Sequence, residues 1–154
     1  MLMKRKLLLI TLISISVLYN LFAQKQSDKL YNLENDIAIQ GYDAVSYFTM
    51  QKPVKGNQKI NTTLNGAIYY FSSQENLSLF LSNPVKYEPQ YGGWCAYAIG
   101  DDGSRVKIDP KTYKIVDGKL YLFYNFHLTN TLKKWNKNEK ELKEIADRYW
   151  DKMK

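Results

Sequence analysis

The sequence predicts an α+β domain, in which a small antiparallel sheet built from hairpins packs against a short helix and a long amphipathic C-terminal helix. Three observations predict this class. Asn-Gly or Asp-Gly stands three times between apolar runs, a strong signal of two-residue hairpins. Two segments repeat apolar residues at helical spacing. Aromatic residues form 14% of the 154-residue chain, and they supply a core to a chain whose single cysteine permits no internal disulfide.

The predicted hairpins have their turns at Asn65-Gly66, Asp102-Gly103 and Asp117-Gly118. A strand is predicted on either side of each turn, because the flanking runs are rich in apolar and aromatic residues. The paired strands are residues 61–64 with 67–71, 94–99 with 104–108, and 113–116 with 119–124. Upstream, residues 41–48 predict a turn that runs into another short strand.

A short helix is predicted after the first hairpin. Ser72-x-x-Glu75 matches a capping box, in which the hydroxyl and the carboxylate each bind a free backbone N–H of the first turn. Asn83-Pro84 ends the helix, since a residue before proline is restricted to extended conformations. The apolar positions between these signals are Leu77, Phe80 and Leu81.

A longer helix is predicted over residues 132–153. Glu139 with Lys143, and Glu144 with Arg148, stand four residues apart on its polar face. The opposite stripe is typical of a helix that covers one face of a sheet, and an amphipathic membrane helix is the alternative. That stripe consists of Leu132, Trp135, Leu142, Ile145, Ala146, Tyr149, Trp150 and Met153.

The first 23 residues have the three-part order of a secretory signal peptide. Lys4, Arg5 and Lys6 precede an uncharged run over residues 7–22, and the small Ala23 stands before the expected cleavage point. An uncleaved anchor helix is the alternative. Cleavage would place the protein in the periplasm or outside the cell, with residues 24–36 as an irregular or weakly helical lead-in and 37–154 as the domain.

The charge balance narrows the range of partners. The whole chain carries a net charge of +7, of which the signal segment holds three charges. Much of the remainder lies in the C-terminal segment, where lysines alternate with glutamates as on a solvated helix face. Outside the signal segment, lysines and arginines do not form a cluster in the sequence, so no nucleic-acid partner is predicted. Membrane contact is expected only through the signal segment before cleavage, which leaves a small ligand or an envelope protein as the expected partner.

Absent motifs exclude several kinds of site. His127 is the only histidine, so sites that need two or three histidines are excluded, including two-His-carboxylate iron and His₃ zinc. The chain has no CxxC, no GxGxxG and no phosphate-binding GKS or GKT. A serine triad would have to use His127, and no serine lies in a G-x-S-x-G elbow.

The remaining chemistry centres on Cys95, which follows Gly92, Gly93 and Trp94 and precedes Tyr97. Adjacent glycines indicate a bend or a close approach of another backbone. As a thiolate, Cys95 could bind copper or another soft metal ion, with further ligands from His127, Met50 or another chain. The alternatives are a buried apolar cysteine, a redox thiol and an intermolecular disulfide.

Asp43 is the second candidate site residue. It could act as an acid or base, or it could bind the backbone of its own turn. A strand over residues 94–99 would place Cys95, Tyr97 and Ile99 on one face. We therefore expect Cys95 at the floor of an aromatic-lined recess, with Asp43 or His127 at its rim.

Several ordered motifs stand in the chain: GYDAVSYF at 41–48, AxYxFxSxENLxxF at 67–80, PxxYxPQYGGxCAYA at 84–98, Asp109-Pro110, VDGKLYLxYN at 116–125 and a closing Trp-containing helix. Together they resemble the exported single-domain branch of the YHS-domain family over residues 37–150. YHS domains elsewhere are attached to copper-transporting ATPases and oxygenase subunits, and are presumed to bind metal through cysteines. In this chain Cys95 is the one such residue, and the Tyr-His-Ser triplet is absent.

These expectations together indicate a non-enzymatic binding module for a metal ion or a metal-bearing small molecule, centred on Cys95. Two alternatives remain. The first is a small thiol-dependent enzyme or redox protein that uses Cys95 with Asp43 or His127 as base. The second is a structural domain that presents an apolar face to a protein partner.

Overall fold

The structure, a computed structural model, describes residues 30–154 and confirms the α+β class. The predicted signal peptide and most of the lead-in lie outside the described residues. The strands are β1 Leu33–Glu34, β2 Ile37–Ala38, β3 Asn57–Leu64, β4 Ala67–Phe71, β5 Asp109–Val116, β6 Lys119–Phe123, β7 Asn125–Phe126 and β8 Thr129–Asn130. The helices are α1 Ser46–Thr49, α2 Gln74–Ser82, α3 Pro84–Tyr87, α4 Ala96–Asp101, α5 Thr131–Trp135 and α6 Glu139–Met153.

The first sheet has the strand order β1-β2-β4-β3 and is antiparallel except where β2 runs parallel to β4. Its β3–β4 hairpin confirms the turn at Asn65-Gly66, with Leu64 paired to Ala67. Strand β1 corrects the prediction of a lead-in that stays irregular to residue 36. It forms because the chain reverses at Asn35 and Asp36, which both adopt positive φ.

Two separate hairpins complete the strands. The β5–β6 hairpin confirms the turn at Asp117-Gly118 and pairs Val116 with Lys119. The short β7–β8 hairpin was not predicted, since its turn residues are His127 and Leu128. Both adopt positive φ, which is uncommon for residues other than glycine, asparagine and aspartate.

The predicted hairpin at Asp102-Gly103 is wrong, because residues 96–101 form helix α4. Gly103 has the positive φ that the turn signal requires, but it ends a helix. Its N–H donates to the carbonyls of Ala98 and Ile99, and the N–H of Asp102 also donates to Ala98. A glycine in this conformation is the commonest helix stop, so the same dipeptide serves a different element.

The strand predicted within residues 41–48 is also wrong, because its second half forms helix α1. The Asp43 carboxylate accepts from the N–H groups of Val45 and Ser46, at 2.9 and 3.3 Å. These bonds form a local turn that directs the chain into the helix.

Helix α2 begins one residue later than the predicted capping box. Its cap is Ser73, whose hydroxyl accepts from the N–H of Asn76 at 3.1 Å. Ser72 does not cap the helix, because its own N–H and hydroxyl both donate to Asp43. The predicted stop is confirmed, and Asn83 also caps α3.

The long C-terminal helix is divided into α5 and α6 by residues 136–138. Trp135 is fully buried against Tyr121 and Phe123 of β6, as expected of a residue that covers the sheet. Helix α6 instead packs mainly on α4, where Gly100 lies so close to Leu142 that an added Cβ would be 2.5 Å from its carbonyl oxygen.

Two further expectations for this region need correction. Tyr149 was expected to pack in the core but is 36% exposed, and it lies over Gly103. The ion pairs on the polar face also differ from those predicted. Glu139 pairs with Lys114, and Lys143 pairs with Asp147 at 3.5 Å. Within residues 30–154, no helix combines the length and apolarity that crossing a membrane requires.

Strand β6 separates two hydrophobic cores, because alternate side chains of a strand point to opposite faces. Leu120 and Leu122 belong to the larger core, together with Val45, Tyr47, Tyr69, Phe71, Phe80 and Cys95. Tyr121 and Phe123 belong to the smaller core, together with Tyr91, Ala96, Ile99, Trp135 and Ala146.

Candidate functional site

Cys95 lies at the junction of the two cores, immediately before helix α4. Its N–H donates to the carbonyl of Val106 at 2.9 Å, and its backbone forms a parallel bridge to Leu122 of β6. The residue is completely buried. Backbone contacts on both sides therefore fix the position of the sulfur.

The sulfur has two hydrogen-bond partners. The N–H of Tyr124 donates to Sγ at 3.3 Å, and Thr131 Oγ1 lies 3.3 Å away. The Thr131 hydroxyl donates its single hydrogen to the carbonyl of Tyr124 at 2.9 Å. In this arrangement the thiol is the donor to Thr131. In its other orientation, the same hydroxyl donates to Sγ beside the Tyr124 N–H.

Cys95 forms part of the wall of a recess of about 210 Å³. Two tyrosines, Tyr97 and Tyr124, line it, and the exposed Asp101 and Asp102 stand at its edge. An aromatic-lined recess at Cys95 agrees with the expectation from the sequence, although helix α4 rather than a strand produces it. Ile99, expected on the same face as Cys95, lies in the smaller core.

The edge of the recess is acidic. Hydrogen bonds from the side chain and backbone of Ser104 lower the pKa of Asp102. Desolvation and the neighbouring Asp101 raise the pKa of Tyr97, so its hydroxyl stays protonated at neutral pH. The Lys134 ammonium lies 5.5 Å from the centre of the Tyr97 ring, in a cation–π contact.

Asp43 does not line this recess. It is completely buried, and its second carboxylate oxygen accepts from the N–H and hydroxyl of Ser72 and from the side-chain amide of Asn76, at 2.8, 2.6 and 2.6 Å. With the two bonds to its own turn, every lone-pair direction of the carboxylate is used. The structure therefore gives Asp43 a structural role, and its expected place at the rim is corrected.

The other candidate residues are also dispersed. His127 lies in the exposed turn between β7 and β8 and is not part of the recess wall. Met50 is 48% exposed and borders a different groove, beside Asn76. Trp94 packs against the smaller core. The expected set of Cys95 with His127 or Met50 is therefore not brought together.

Gly92 and Gly93 bear out the expected close approach of another backbone. A Cβ on Gly92 would lie 2.0 Å from the carbonyl oxygen of Leu30, and the residue has a φ of +58°. The N–H of Asn32 donates to the Gly92 carbonyl at 2.8 Å, and the Asn32 side chain donates to the Gly93 carbonyl at 3.0 Å. The glycine pair thus holds the segment before β1 against the domain.

The donor set limits what the site can bind. Among residues 30–154, no three histidine, cysteine, aspartate or glutamate side chains group together in a way that could hold a metal ion. Cys95 offers one soft donor, whereas a bare soft ion needs several. A metal would fit here only if it arrived with ligands of its own.

The residues around Cys95 that sequence reasoning missed come from three separate segments. Asp101 and Asp102 follow Cys95 closely in the chain, but a hairpin turn was predicted there. Tyr124 and Thr131 flank the β7–β8 hairpin, which carries no turn signal.

Comparisons with models of known families, with curated proteins and with solved structures found no match for the chain.

Proposed function

We propose that this protein is an exported, non-enzymatic binding module whose ligand occupies the recess at Cys95. The ligand is a small molecule that carries copper or another soft metal ion, and the Cys95 sulfur is the one soft donor that the protein adds. A recess of about 210 Å³ favours a small ligand, since pockets for drug-sized molecules span roughly 300–1,000 Å³.

The observation that carries this proposal is the environment of the sulfur. An inert cysteine needs only apolar neighbours. Cys95 has a backbone N–H donor, a hydroxyl that can become a second donor, and a recess at its side. Hydrogen bonds to a ligating sulfur orient it and adjust its affinity for the metal.

The enzymatic alternative has weaker support. A nucleophilic thiol needs a base within about 2.6–3.2 Å. The two hydrogen-bond partners of Cys95 are a hydroxyl and an amide N–H, and neither group can act as a base at neutral pH. Asp43 and His127, the bases expected from the sequence, are placed elsewhere.

Membership of the exported branch of the YHS-domain family belongs to the same proposal. Motifs far apart in the chain meet in space, which supports a shared fold. Asp43 of the first motif binds Ser72 and Asn76 of the second. Tyr47, also of the first motif, donates to the carbonyl of Pro110 at 2.8 Å.

Copper uptake tests the proposal. We expect the mature protein, incubated without oxygen with Cu(I) as its acetonitrile complex, to retain about one copper per chain after gel filtration. Cys95→Ser should abolish retention, and Met50→Leu, the matched control at the exposed soft donor, should retain copper like the parent chain.

A second variant addresses the risk that Cys95→Ser alters folding. Thr131→Val removes the hydroxyl beside the sulfur, and we expect it to weaken retention by about tenfold, the low end for such supporting residues. Equal retention by the parent chain and by folded Cys95→Ser would contradict the proposal, and so would no retention by either.

A further inference from the structure

A second cavity lies beside the Gly92 segment. It has a volume of about 270 Å³ and is bordered by Tyr31, Glu88, Tyr91, Gly92, Trp150 and Lys154. It shares no lining residue with the recess at Cys95.

Three aromatic rings form its walls. Tyr91 and Trp150 meet edge to face, with ring centres 6.0 Å apart and an interplanar angle of 70°. Tyr91 is held in place because its hydroxyl donates to Asp147 at 2.8 Å. Tyr31 comes from the segment that Gly92 holds against the domain. Contacts on several elements therefore fix the walls.

Glu88 supplies a negative charge at this cavity. Its side chain is half-buried, and one oxygen accepts from the Tyr69 hydroxyl at 3.3 Å. None of the ion pairs among residues 30–154 includes it. Desolvation raises the pKa of Glu88, although the hydrogen bond from Tyr69 acts in the opposite direction. Within the part of the chain that the structure describes, the carboxylate thus has no ion-pair partner to offset its desolvation.

Lys154 does not fill this role. It borders the cavity, but its ammonium is bound to Asp151 at 3.2 Å, one turn back on the same helix. Among residues 30–154, this carboxylate has no ion-pair partner, and it borders a cavity with three aromatic side chains. Such a combination has the chemistry that recognises an organic ammonium ion. The rings attract the cation through their quadrupoles, and the carboxylate supplies the counter-charge.

We propose that this cavity binds a small organic cation of the quaternary ammonium type, with Glu88 as counter-ion and Trp150, Tyr91 and Tyr31 as the aromatic walls. The size of the cavity suits a trimethylammonium group and excludes a drug-sized ligand. The site is independent of the proposed function, because its ligand class and its lining residues both differ.

The test is a titration of the isotope-labelled mature protein with choline, followed by the backbone amide signals of Gly92 and its neighbours. Sodium chloride at equal ionic strength is the control for salt effects. The neutral analogue 3,3-dimethylbutanol has the shape of choline but carries no charge, so it separates cation recognition from filling of an apolar cavity. We expect saturable shifts with choline and much smaller ones with the neutral analogue.

Two variants separate the contribution of the carboxylate from that of the aromatic wall. Glu88→Gln should weaken choline binding by about tenfold or more, and Trp150→Leu by a few-fold, since each removes one source of attraction. Glu144→Gln, an exposed charge change on helix α6, should leave the affinity unchanged. The proposal is overturned if choline produces no saturable shift, if the neutral analogue binds equally well, or if folded Glu88→Gln keeps the full affinity.

Discussion

The Asp43 side chain joins the turn before α1 to the start of α2, two segments that are far apart in the sequence. The residue lies in a turn before α1, and its carboxylate accepts five hydrogen bonds from residues 45, 46, 72 and 76. A buried charge is tolerated when such bonds replace its hydration. The part of this network that lies within its own turn could be predicted. The partners at 72 and 76 could not, because they are about thirty residues away.

Replacement of Asp43 tests this role. Asp43→Asn places an amide NH₂ against N–H or O–H donors whichever way it turns, so buried donors lose their acceptor. We expect a loss of about 3 kcal/mol in the free energy of unfolding, measured with urea.

Asp117→Asn is the matched control, because asparagine is equally suited to the hairpin turn, and its loss should be below about 0.5 kcal/mol. Equal effects of the two substitutions would show that Asp43 is not a structural junction.

Ser72 and Ser73 show why the start of α2 was placed one residue early. Ser72 has the capping-box partner Glu75 three residues later in the sequence, whereas Ser73 is followed at that spacing by Asn76. The choice depends on Asp43, which binds Ser72 and leaves Ser73 to cap the helix. Local pattern alone does not contain this contact.

At the scale of elements, the three Asn-Gly or Asp-Gly pairs had different outcomes. All three adopt positive φ at glycine, as their composition predicts. Two close hairpins, and the third ends helix α4. Only the glycine conformation is shared, since Asp102 has a φ of −137° whereas Asn65 and Asp117 have positive φ. The element is decided by packing, here of Gly100 against Leu142 of α6. The sequence thus predicts a recess at Cys95, but it does not predict that Asp101 and Asp102 stand at the edge, because a hairpin turn is expected there.

The division of the C-terminal segment leads to a second prediction. Trp135 is fully buried between the strands and α4, whereas Tyr149 covers Gly103 at the surface. Trp135→Ala should lower the free energy of unfolding by about 3–5 kcal/mol through the cavity it leaves.

Tyr149→Ala is the comparison on the following helix and should cost at most about 1 kcal/mol. Similar losses would mean that Tyr149 of α6 contributes to the core as much as Trp135 of α5, which would contradict this division.

At the scale of the whole molecule, the two hydrophobic cores stabilise different parts of the domain. The larger core joins the first sheet to β6, and the smaller core holds the C-terminal helices. Cys95 lies where they meet, and both proposed ligand sites open at the boundary of elements that belong to different cores. The α+β class was predictable from turns and periodicity. The meeting of segments around Cys95 was not, because it depends on long-range contacts.

Export is a property of the whole chain, and it sets where any ligand would be met. If residues 1–23 are removed, the protein isolated from the cell envelope should begin at or near Gln24. Mass spectrometry of its N-terminal peptide gives the answer. Recovery of the full-length chain from the membrane fraction would favour the anchor helix instead.

The central claim is that the Cys95 sulfur is available to a small ligand in the folded protein. Thiol-labelling kinetics with methyl methanethiosulfonate, a reagent small enough for the recess, test it most directly. The rate is compared with that of global unfolding, with and without Cu(I) supplied as its acetonitrile complex. We predict labelling much faster than unfolding, and strong slowing by Cu(I). Labelling as slow as global unfolding and unaffected by Cu(I) would contradict the account and make Cys95 a core residue only.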